Sequence, residues 1–179
     1  MSVKESPQSK QMTAIRIRSA NENDIPGIHM VISKGFWGLQ RRGYSKKAIE
    51  AAIPSRSEIQ QRLLLPKTVV FVAANEDQII GTVTGSEKFE HFHVQSFAVD
   101  PRFQGHRVGY SLMTELEKSA RQFNCKKLFV QTAWAMFEAI KLYLKLDFEL
   151  EGYHPRHFFG EVLLSFGKIL KPSKNGNRV

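Results

Sequence analysis

The sequence has almost no cysteine, the residue that forms disulfides and thiolate metal clusters. Cys125 is the only cysteine among 179 residues, so an internal disulfide and a thiolate metal cluster are both excluded. A single cysteine is typical of a reducing compartment. No stretch approaches the roughly 18 consecutive apolar residues that a membrane span requires, and the polar opening segment lacks the apolar core of a secretory signal. We therefore expect a cytoplasmic protein.

Acidic residues are scarce relative to basic ones. Lys and Arg together number 26 against 17 for Asp and Glu, which gives a formal net charge of +9 and favours an anionic partner such as nucleic acid or a phosphorylated cofactor. Part of the basic excess lies at the two ends of the chain, and no long basic helix or recognised nucleic-acid module occurs between them. We therefore expect neither nucleic acid nor membrane as a partner.

Composition and hydrophobic periodicity indicate one globular domain. Hydrophobic residues make up 42% of the chain, which is ordinary for a globular protein. The domain is expected over residues 14–170, between flexible segments 1–13 and 171–179. Strands are predicted at 15–19, 68–74, 78–84, 91–99, 127–132, 148–153 and 159–169. Helices are predicted from Asn21 or Asn23 to about 32, and at 45–52, 57–65, 108–120 and 136–146, with an irregular segment at 35–44.

The order of these elements predicts the fold class. Hairpin strands come first and strand–helix units follow, which is typical of a mixed α/β (α+β) domain. We expect a twisted, mainly antiparallel sheet of about seven strands with helices on both faces.

The most informative stretch joins the strand at 91–99 to the helix that follows it. Pro101 ends the strand, and Gly105 and Gly109 lie near the start of the helix. The first N–H groups of a helix have no partner within it and, with the positive end of the helix dipole, attract an anion. Glycine lets the backbone approach phosphate oxygens closely. The loop therefore predicts a phosphate site, although a glycine pair alone could simply mark a turn into a helix.

The context of this loop makes it more specific. The strand, Pro101, the run QGHRVG at 104–109, the amphipathic helix, a further strand and EAIKLYLKLDF together resemble the GCN5-related N-acetyltransferase (GNAT) family, over residues 15 to about 170. Gln104 and Gly109 match the family's loop pattern. Arg107 replaces its middle glycine, and we expect a helical turn there, because a left-handed backbone with a side chain costs about 1–2 kcal/mol.

Two further departures from the family's pattern lie in the later helix. Met136 stands where the family often has Asn at the start of that helix. Asp147 stands where the family has Gly before Phe at its end.

The resemblance implies an enzyme that moves an acetyl group from acetyl-CoA to a primary amine of a small molecule or peptide, by direct attack in a ternary complex. It also implies that the sheet splays between the strand ending at Val99 and the strand starting near Lys127, with the cofactor in the gap. Backbone groups of Phe97, Ala98 and Val99 would pair with the pantetheine arm. The implied cofactor-binding residues of the loop are Gln104, Gly105, His106, Arg107, Val108, Gly109 and Tyr110. The Arg107 guanidinium could bind a phosphate through two hydrogen bonds, the alternative being an arginine that faces solvent.

Two residues are candidates for acid–base chemistry. The resemblance places Tyr143 beside the coenzyme sulfur as general acid, the alternative being a ring that only packs under the sheet. Alternation puts four side chains on one face of the strand before the loop: His91, His93, Gln95 and Phe97. A histidine with a pKa near about 6.5 can accept a proton from the attacking ammonium, directly or through water. The resemblance makes His93 the candidate base, because it stands where some family members have a catalytic glutamate or histidine on this strand; the alternative is a histidine satisfied by local hydrogen bonds.

The acceptor site is expected near Phe36, Trp37 and Gln95. The segment 35–44 occupies the place of the family's variable substrate loop, although its aromatic residues could equally belong to the core. If Arg41 and Arg42 face the acceptor, they would favour one that carries a carboxylate.

Histidine pairs in the sequence also permit a zinc hypothesis. His91 and His93, and His154 and His157, have spacings at which imidazoles can converge on a metal. No carboxylate or thiol pattern accompanies them, so we expect no metal.

Two alternatives to an enzyme stay open from the sequence. One is an acetyl-CoA-binding regulatory module of the same fold without turnover, since a fold does not determine a function. The other is a basic nucleic-acid-binding adaptor. The protein could also form a homodimer.

Overall fold

The structure, a computed structural model, describes residues 14–171. The predicted flexible segment 1–13 and, apart from Lys171, the predicted tail 171–179 lie outside these residues. The strands are β1 (Arg16–Ser19), β2 (Thr68–Asn75), β3 (Gln78–Lys88), β4 (His91–Val99), β5 (Lys127–Ala133), β6 (Glu149–Phe158) and β7 (Glu161–Ile169). The α-helices are α1 (Ile25–Trp37), α2 (Lys46–Ala52), α3 (Arg56–Leu64), α4 (Val108–Gln122) and α5 (Phe137–Lys145). Within the described range, no helix is both long enough and apolar enough to cross a membrane.

The seven strands form one sheet in the order β1-β2-β3-β4-β5-β7-β6. Five of the six neighbouring pairs are antiparallel, and only β4 and β5 are parallel. The connection between these two strands contains α4, because parallel neighbours need a crossover. The predicted fold class, a mixed domain with a mainly antiparallel sheet, is confirmed.

Helices cover both faces of the sheet. On the first face, α1 and α3 bury side chains such as Ile32 and Ile59 against β2 and β3. On the second face, α4 buries Leu112 and Leu116 with Phe92 of β4. The spacing of four between the apolar residues of α4 presents them as one stripe, which is why this helix was predictable. α5 packs on the same face as α4.

The sheet opens between β4 and β5. These strands pair only from His91 and Lys127 to Val94 and Val130, although β4 continues to Val99 and β5 to Ala133. Against β3, the register of β4 slips by one residue after Gln95, and the extra residue, Ser96, has a positive φ of 47°. Such a bulge bends the strand, and the bend accompanies the separation of β4 from β5. The predicted splay lies at this place.

Several predicted boundaries differ from the structure, two of them in ways that affect the site. The segment 35–44 is not irregular: α1 continues to Trp37 and a 3₁₀ helix follows at Gly38–Arg42. Its glycines are tolerated because neighbouring side chains pack the segment onto the core, as tertiary context often overrides propensity. β6 reaches Phe158, well past the predicted end at 153. Pro155 fits there because the strand lies at the sheet edge and its pairing with β7 is interrupted between His154 and Phe158.

Candidate active site

Two cavities meet where β4 and β5 separate. The larger, here called the cleft, has a volume of about 1160 Å³ and extends to the loop before α4. The smaller, here called the chamber, has a volume of about 180 Å³ and extends towards α2. Phe97, Met136 and Ala139 line both cavities. A ligand that fills the cleft would therefore present its end to the chamber at these three residues.

Asp100 fixes the loop that leads from β4 to α4. Its carboxylate accepts a hydrogen bond from the backbone N–H of Arg102 (3.0 Å) and forms ion pairs with the side chains of Arg102 (2.9 Å) and Lys34 (3.2 Å). The Arg102 guanidinium, the Arg102 backbone N–H and Lys34 outweigh the effect of burial and lower the pKa of Asp100 to about 2. The residue thus stays ionised and anchors both the loop and α1.

Arg107 adopts a left-handed backbone, with φ 61° and ψ 9°, directly before α4. The expectation of a helical turn at this position was wrong. Gly105 also has a positive φ, of 84°. These two left-handed residues turn the chain sharply into α4, and the folded loop tolerates the cost of about 1–2 kcal/mol that a side chain incurs there. Arg107 therefore keeps the backbone conformation for which the family's glycine is suited.

The first turn of α4 has amides available for an anion. No side chain caps this helix, and the first main-chain bond of its α-helical type runs from Ser111 N to Arg107 O (3.0 Å). The N–H groups of the preceding residues have no α-helical partner. Gly105, Arg107, Val108, Gly109, Tyr110 and Gln104 all line the cleft at this end; His106 is exposed beside them and does not line it.

Gly109 has a packing role that the sequence did not indicate. A Cβ placed on it would lie 3.0 Å from Leu142 Cδ2 and 3.0 Å from Phe97 Cζ. The glycine therefore lets α4, α5 and β4 approach each other closely beside the junction of the two cavities. A Cβ on Gly105, in contrast, would meet no atom within 4 Å, so that this backbone is open towards a ligand.

The lining of the cleft is strongly basic. Its charged residues are Lys34, Arg42, Arg107, Lys141 and Lys145, with Glu138 as the one acid among the described lining residues. Arg42 and Glu138 form a two-pronged ion pair, with both N–O distances 3.0 Å. The remaining positive charge and the open amides of α4 suit a ligand that carries several phosphates.

The end of α5 holds Tyr143 in place. Phe148 N–H donates to Tyr143 O (3.0 Å) and Asp147 N–H donates to Leu144 O (3.2 Å), with Asp147 left-handed at φ 61°. This is a Schellman C-cap, and its usual hydrophobic contact is here the pair of Tyr143 and Phe148 rings, 5.5 Å apart. Asp147 thus adopts the left-handed conformation that favours glycine.

The Tyr143 side chain is buried, and its hydroxyl lies at the wall of the chamber. The ring also packs against Phe97 (6.1 Å) and Phe166 (5.8 Å). Burial raises the pKa of the Tyr143 hydroxyl, so the group stays protonated. Within residues 14–171 this hydroxyl makes no hydrogen bond, and no fully buried side-chain N or O atom there lacks a partner, so the hydroxyl is open to the chamber that Tyr143 lines. The chamber wall therefore carries a neutral donor with unused hydrogen-bonding capacity.

His93 lies behind the chamber wall and lines neither cavity. Its Nδ1 is 3.1 Å from Nε2 of Gln95, and Gln95 does line the chamber. Burial, and to a smaller extent the charge of Lys88, lower the pKa of His93. A neutral imidazole is thus connected to the chamber through the Gln95 amide.

The bulge at Ser96 changes which face Phe97 occupies. The prediction that Phe97 shares a face with His93 was wrong, because strict alternation ends at the bulge. Phe97 instead packs with Phe92, Val94 and Tyr143 on the face covered by α4.

The structure divides the predicted acceptor residues. Phe36 and Gln95 line the chamber, whereas Trp37 is partly exposed and lines neither cavity. Arg41 is exposed and Arg42 is bound to Glu138 at the cleft. Neither arginine lines the chamber.

The sequence analysis missed most of the chamber wall. Three of the overlooked residues lie on α2: Ala48, Ile49 and Ala52. Another is Leu163 of β7, whereas Tyr44, which also lines the chamber, lies in the segment 35–44 that was expected near the acceptor. The amphipathic pattern of α2 marks it as packed, but such residues carry no chemical signal from which a substrate site could be read.

The described residues include no cluster of side chains that could serve as zinc ligands. No group of three or more His, Cys, Asp or Glu side chains could hold a metal anywhere in the described range. The His154 ring instead lies tilted beside that of His157, with centroids 5.3 Å apart, and its Nε2 lies 2.7 Å from Ser165 Oγ. Cys125 is buried, and burial raises the pKa of its thiol.

The sequence comparison identifies the family. Residues 40–148 match the model of the Acetyltransferase (GNAT) family. The chain therefore belongs to the GNAT acetyltransferase family. Among curated proteins, none matches the chain.

Solved structures share the fold at low sequence identity. PaiA N-acetyltransferase from Thermoplasma acidophilum, in complex with coenzyme A, has a TM-score of 0.73 and 15% identity over 86% of this chain and 98% of its own. The ribosomal-protein-S18-alanine N-acetyltransferase from Escherichia coli has a TM-score of 0.72 and 14% identity over 93% and 100%. YncA from Salmonella typhimurium, with its cofactor acetyl-CoA, has a TM-score of 0.71 and 18% identity over 93% and 100%.

Proposed function

We propose that the protein is an N-acetyltransferase that binds acetyl-CoA in the cleft and transfers the acetyl group to a primary amine in the chamber. The observation that carries this proposal is the junction of the two cavities at Phe97, Met136 and Ala139, where Tyr143 lines the chamber and its ring packs 6.1 Å from that of Phe97. Family membership and the coenzyme complexes of PaiA and YncA support it.

The cleft provides two kinds of contact for the coenzyme. At the outer end, the open amides at the start of α4 and the basic side chains would hold the phosphates. At the inner end, β4 beyond Val94 has no partner strand on the side of β5, so backbone groups of Phe97 and Val99 are free to pair with the amides of the pantetheine arm. Both contacts use the residues predicted from the sequence.

In the reaction we propose, the amine nitrogen forms a bond to the thioester carbonyl carbon and the carbon–sulfur bond breaks. Tyr143 donates a hydrogen bond to the departing sulfur. A thiol pKa near about 8.5 makes the thiolate a good leaving group, so a hydrogen bond is sufficient help. The proton lost by the nitrogen passes through water beside Gln95 to the neutral imidazole of His93.

Calorimetry with acetyl-CoA, followed by mass spectrometry of a primary-amine panel, tests the function. We expect saturable binding, a stabilisation of about 2.7 kcal/mol at 100 times Kd, and an acetylated amine with one free coenzyme A per turnover. Absence of binding at millimolar coenzyme would refute the proposal. Binding of acetyl-CoA without transfer to any amine would indicate a regulatory module. Salt-dependent binding to an oligonucleotide that is unaffected by acetyl-CoA would indicate a nucleic-acid-binding adaptor.

The pH dependence of turnover tests the role of His93. Only neutral His93 accepts a proton, so its contribution is present above its pKa and is lost as the pH falls through that value, which burial sets below the ordinary 6.5. We expect His93→Ala to lower kcat about 10- to 100-fold at pH 7.5 and to remove this acid limb.

His91→Ala is the matched control for His93. His91 lies two residues earlier on the same strand and is exposed, so its removal should leave both kcat and the pH profile unchanged. Identical profiles for the two variants would exclude His93 as the proton acceptor.

A further inference from the structure

The chamber differs from the cleft in its charge. None of the described side chains that line it is charged at neutral pH. Its two titratable residues are tyrosines, and burial raises the pKa of both, that of Tyr44 to about 12. Tyr44 also donates a hydrogen bond to Val162 O (2.9 Å), which ties this wall to β7. The two cavities therefore select for opposite properties: a polyanion in the cleft and an uncharged group in the chamber.

The size of the chamber sets an upper limit on that group. Its volume is about 180 Å³, and an apolar cavity of about 150 Å³ is large enough to bind benzene. Much of the wall is hydrocarbon, contributed by Phe36, Ile49, Val94, Val130, Phe158 and Leu163. One aromatic ring or a short branched alkyl group would fill the space.

The polar groups in the chamber are few and neutral. They include the side chains of Gln95, Ser96, Gln131 and Thr132. These can make hydrogen bonds to one amine nitrogen, but they cannot neutralise a second ammonium or a carboxylate. A charge buried without a partner is strongly unfavourable.

A positively charged side chain from α3 contacts the chamber wall. Arg62, which is half-buried, donates a hydrogen bond to Ser96 Oγ at 2.6 Å. It does not line the chamber itself, so it cannot bind a carboxylate there directly. Its positive charge lies next to Ser96 of the chamber wall and therefore repels a second ammonium group that enters the chamber.

We propose that the acceptor is a monoamine whose group next to the reacting nitrogen is uncharged, apolar and no larger than about one aromatic ring. This inference rests on the proposed function and names its substrate class. It excludes polyamines and free amino acids from the preferred substrates, and it replaces the carboxylate-bearing acceptor that the sequence suggested.

Pairs of amines that differ in one charge test the proposal. Phenethylamine and phenylalanine differ by a carboxylate, and propylamine and 1,3-diaminopropane differ by an ammonium group. Binding is measured by calorimetry with the protein saturated in coenzyme A, where no transfer can occur, and kcat/KM is measured with acetyl-CoA. We expect phenethylamine and propylamine, the members without the second charge, to have a Kd at least about 10-fold lower than their charged partners and a higher kcat/KM.

The outcomes separate this inference from the proposed function. Equal or tighter binding of the charged member of either pair overturns the inference, even if the protein acetylates both amines. Absence of binding by both neutral members overturns it as well. If they bind and none is acetylated, the chamber's selectivity is upheld and the proposed function fails.

Filling the chamber provides an independent test. Ala52 at the end of α2 lines the chamber, whereas its neighbour Ala51 is exposed and does not. We expect Ala52→Phe to raise the Kd of phenethylamine at least about 10-fold, to affect propylamine less, and to leave coenzyme A affinity unchanged. Ala51→Phe should change none of these. Unaltered phenethylamine binding in Ala52→Phe would place the acceptor elsewhere.

Discussion

Replacing Tyr143 with phenylalanine is expected to lower kcat for acetyl transfer about 100-fold and to leave the affinity for acetyl-CoA within about threefold. Proton donation by a positioned side chain contributes about 10²- to 10⁴-fold, and the lower end applies because a thiolate leaves readily. The ring that packs on Phe97, Phe148 and Phe166 is retained. Single-turnover kinetics with an accepted amine, together with calorimetry for acetyl-CoA, measure the two quantities.

The structure allows the chemical role of Tyr143 to be separated from a packing role. Its hydroxyl has no hydrogen-bond partner among residues 14–171, so its removal should change the free energy of unfolding by less than about 1 kcal/mol. Tyr153→Phe is the control, because Tyr153 is exposed on β6 and lines neither cavity. If Tyr143→Phe retains full kcat, the tyrosine serves only to pack the core.

The parts of the fold that were predictable have a strong repeating pattern. The apolar stripe of α4 follows the helical period, and β4 was bounded correctly at His91 and Val99, directly before Asp100 and Pro101. Pro54 indicated the break between α2 and α3, and the structure shows in addition that Ser45 and Ser55 cap these two helices with their side chains. Such features depend on neighbours in the chain, so the sequence alone indicates them.

Predictions failed where tertiary contacts override local preference. Arg107, where a helical turn was expected, and Asp147, for which no conformation was predicted, both adopt the left-handed backbone that favours glycine, because the loop before α4 and the Schellman cap of α5 require it. At Ser96, a single inserted residue moved Phe97 to the other face of the sheet. Local propensity would not predict any of these three conformations, since each is imposed by the elements on either side.

The candidate site was predictable to different extents on its two sides. The coenzyme side follows one contiguous segment, from Phe97 to Tyr110, and most of its residues do line the cleft. The chamber, which we propose as the acceptor side, is assembled in part from α2, β5, β6 and β7, whose relative positions no sequence pattern contains. His93 illustrates the difference: its strand and face were correct, yet it lies behind Gln95 and outside the cavity lining.

The substitution Gly105→Glu introduces a negative charge and is expected to raise the Kd for acetyl-CoA about 10- to 100-fold. The residue lines the cleft beside the open amides of α4, and a Cβ there meets nothing within 4 Å, so a carboxylate would compete with the coenzyme phosphates for the helix start. Calorimetry at low ionic strength measures the change in Kd. kcat at saturating coenzyme should fall much less, because Tyr143 and the chamber are untouched.

Gly105→Gln is the control that isolates charge from backbone strain. Gly105 has a φ of 84°, and both variants would incur the same cost of about 1–2 kcal/mol for a side chain in that conformation. We expect Gln to weaken coenzyme binding by less than about fivefold, and the difference between Glu and Gln to shrink as salt is raised, since salt screens exposed charges. Equal affinities for the two variants at low salt would mean that no phosphate lies at this loop. In that case the coenzyme phosphates would have to be bound by basic side chains elsewhere in the cleft, such as Lys141 and Lys145.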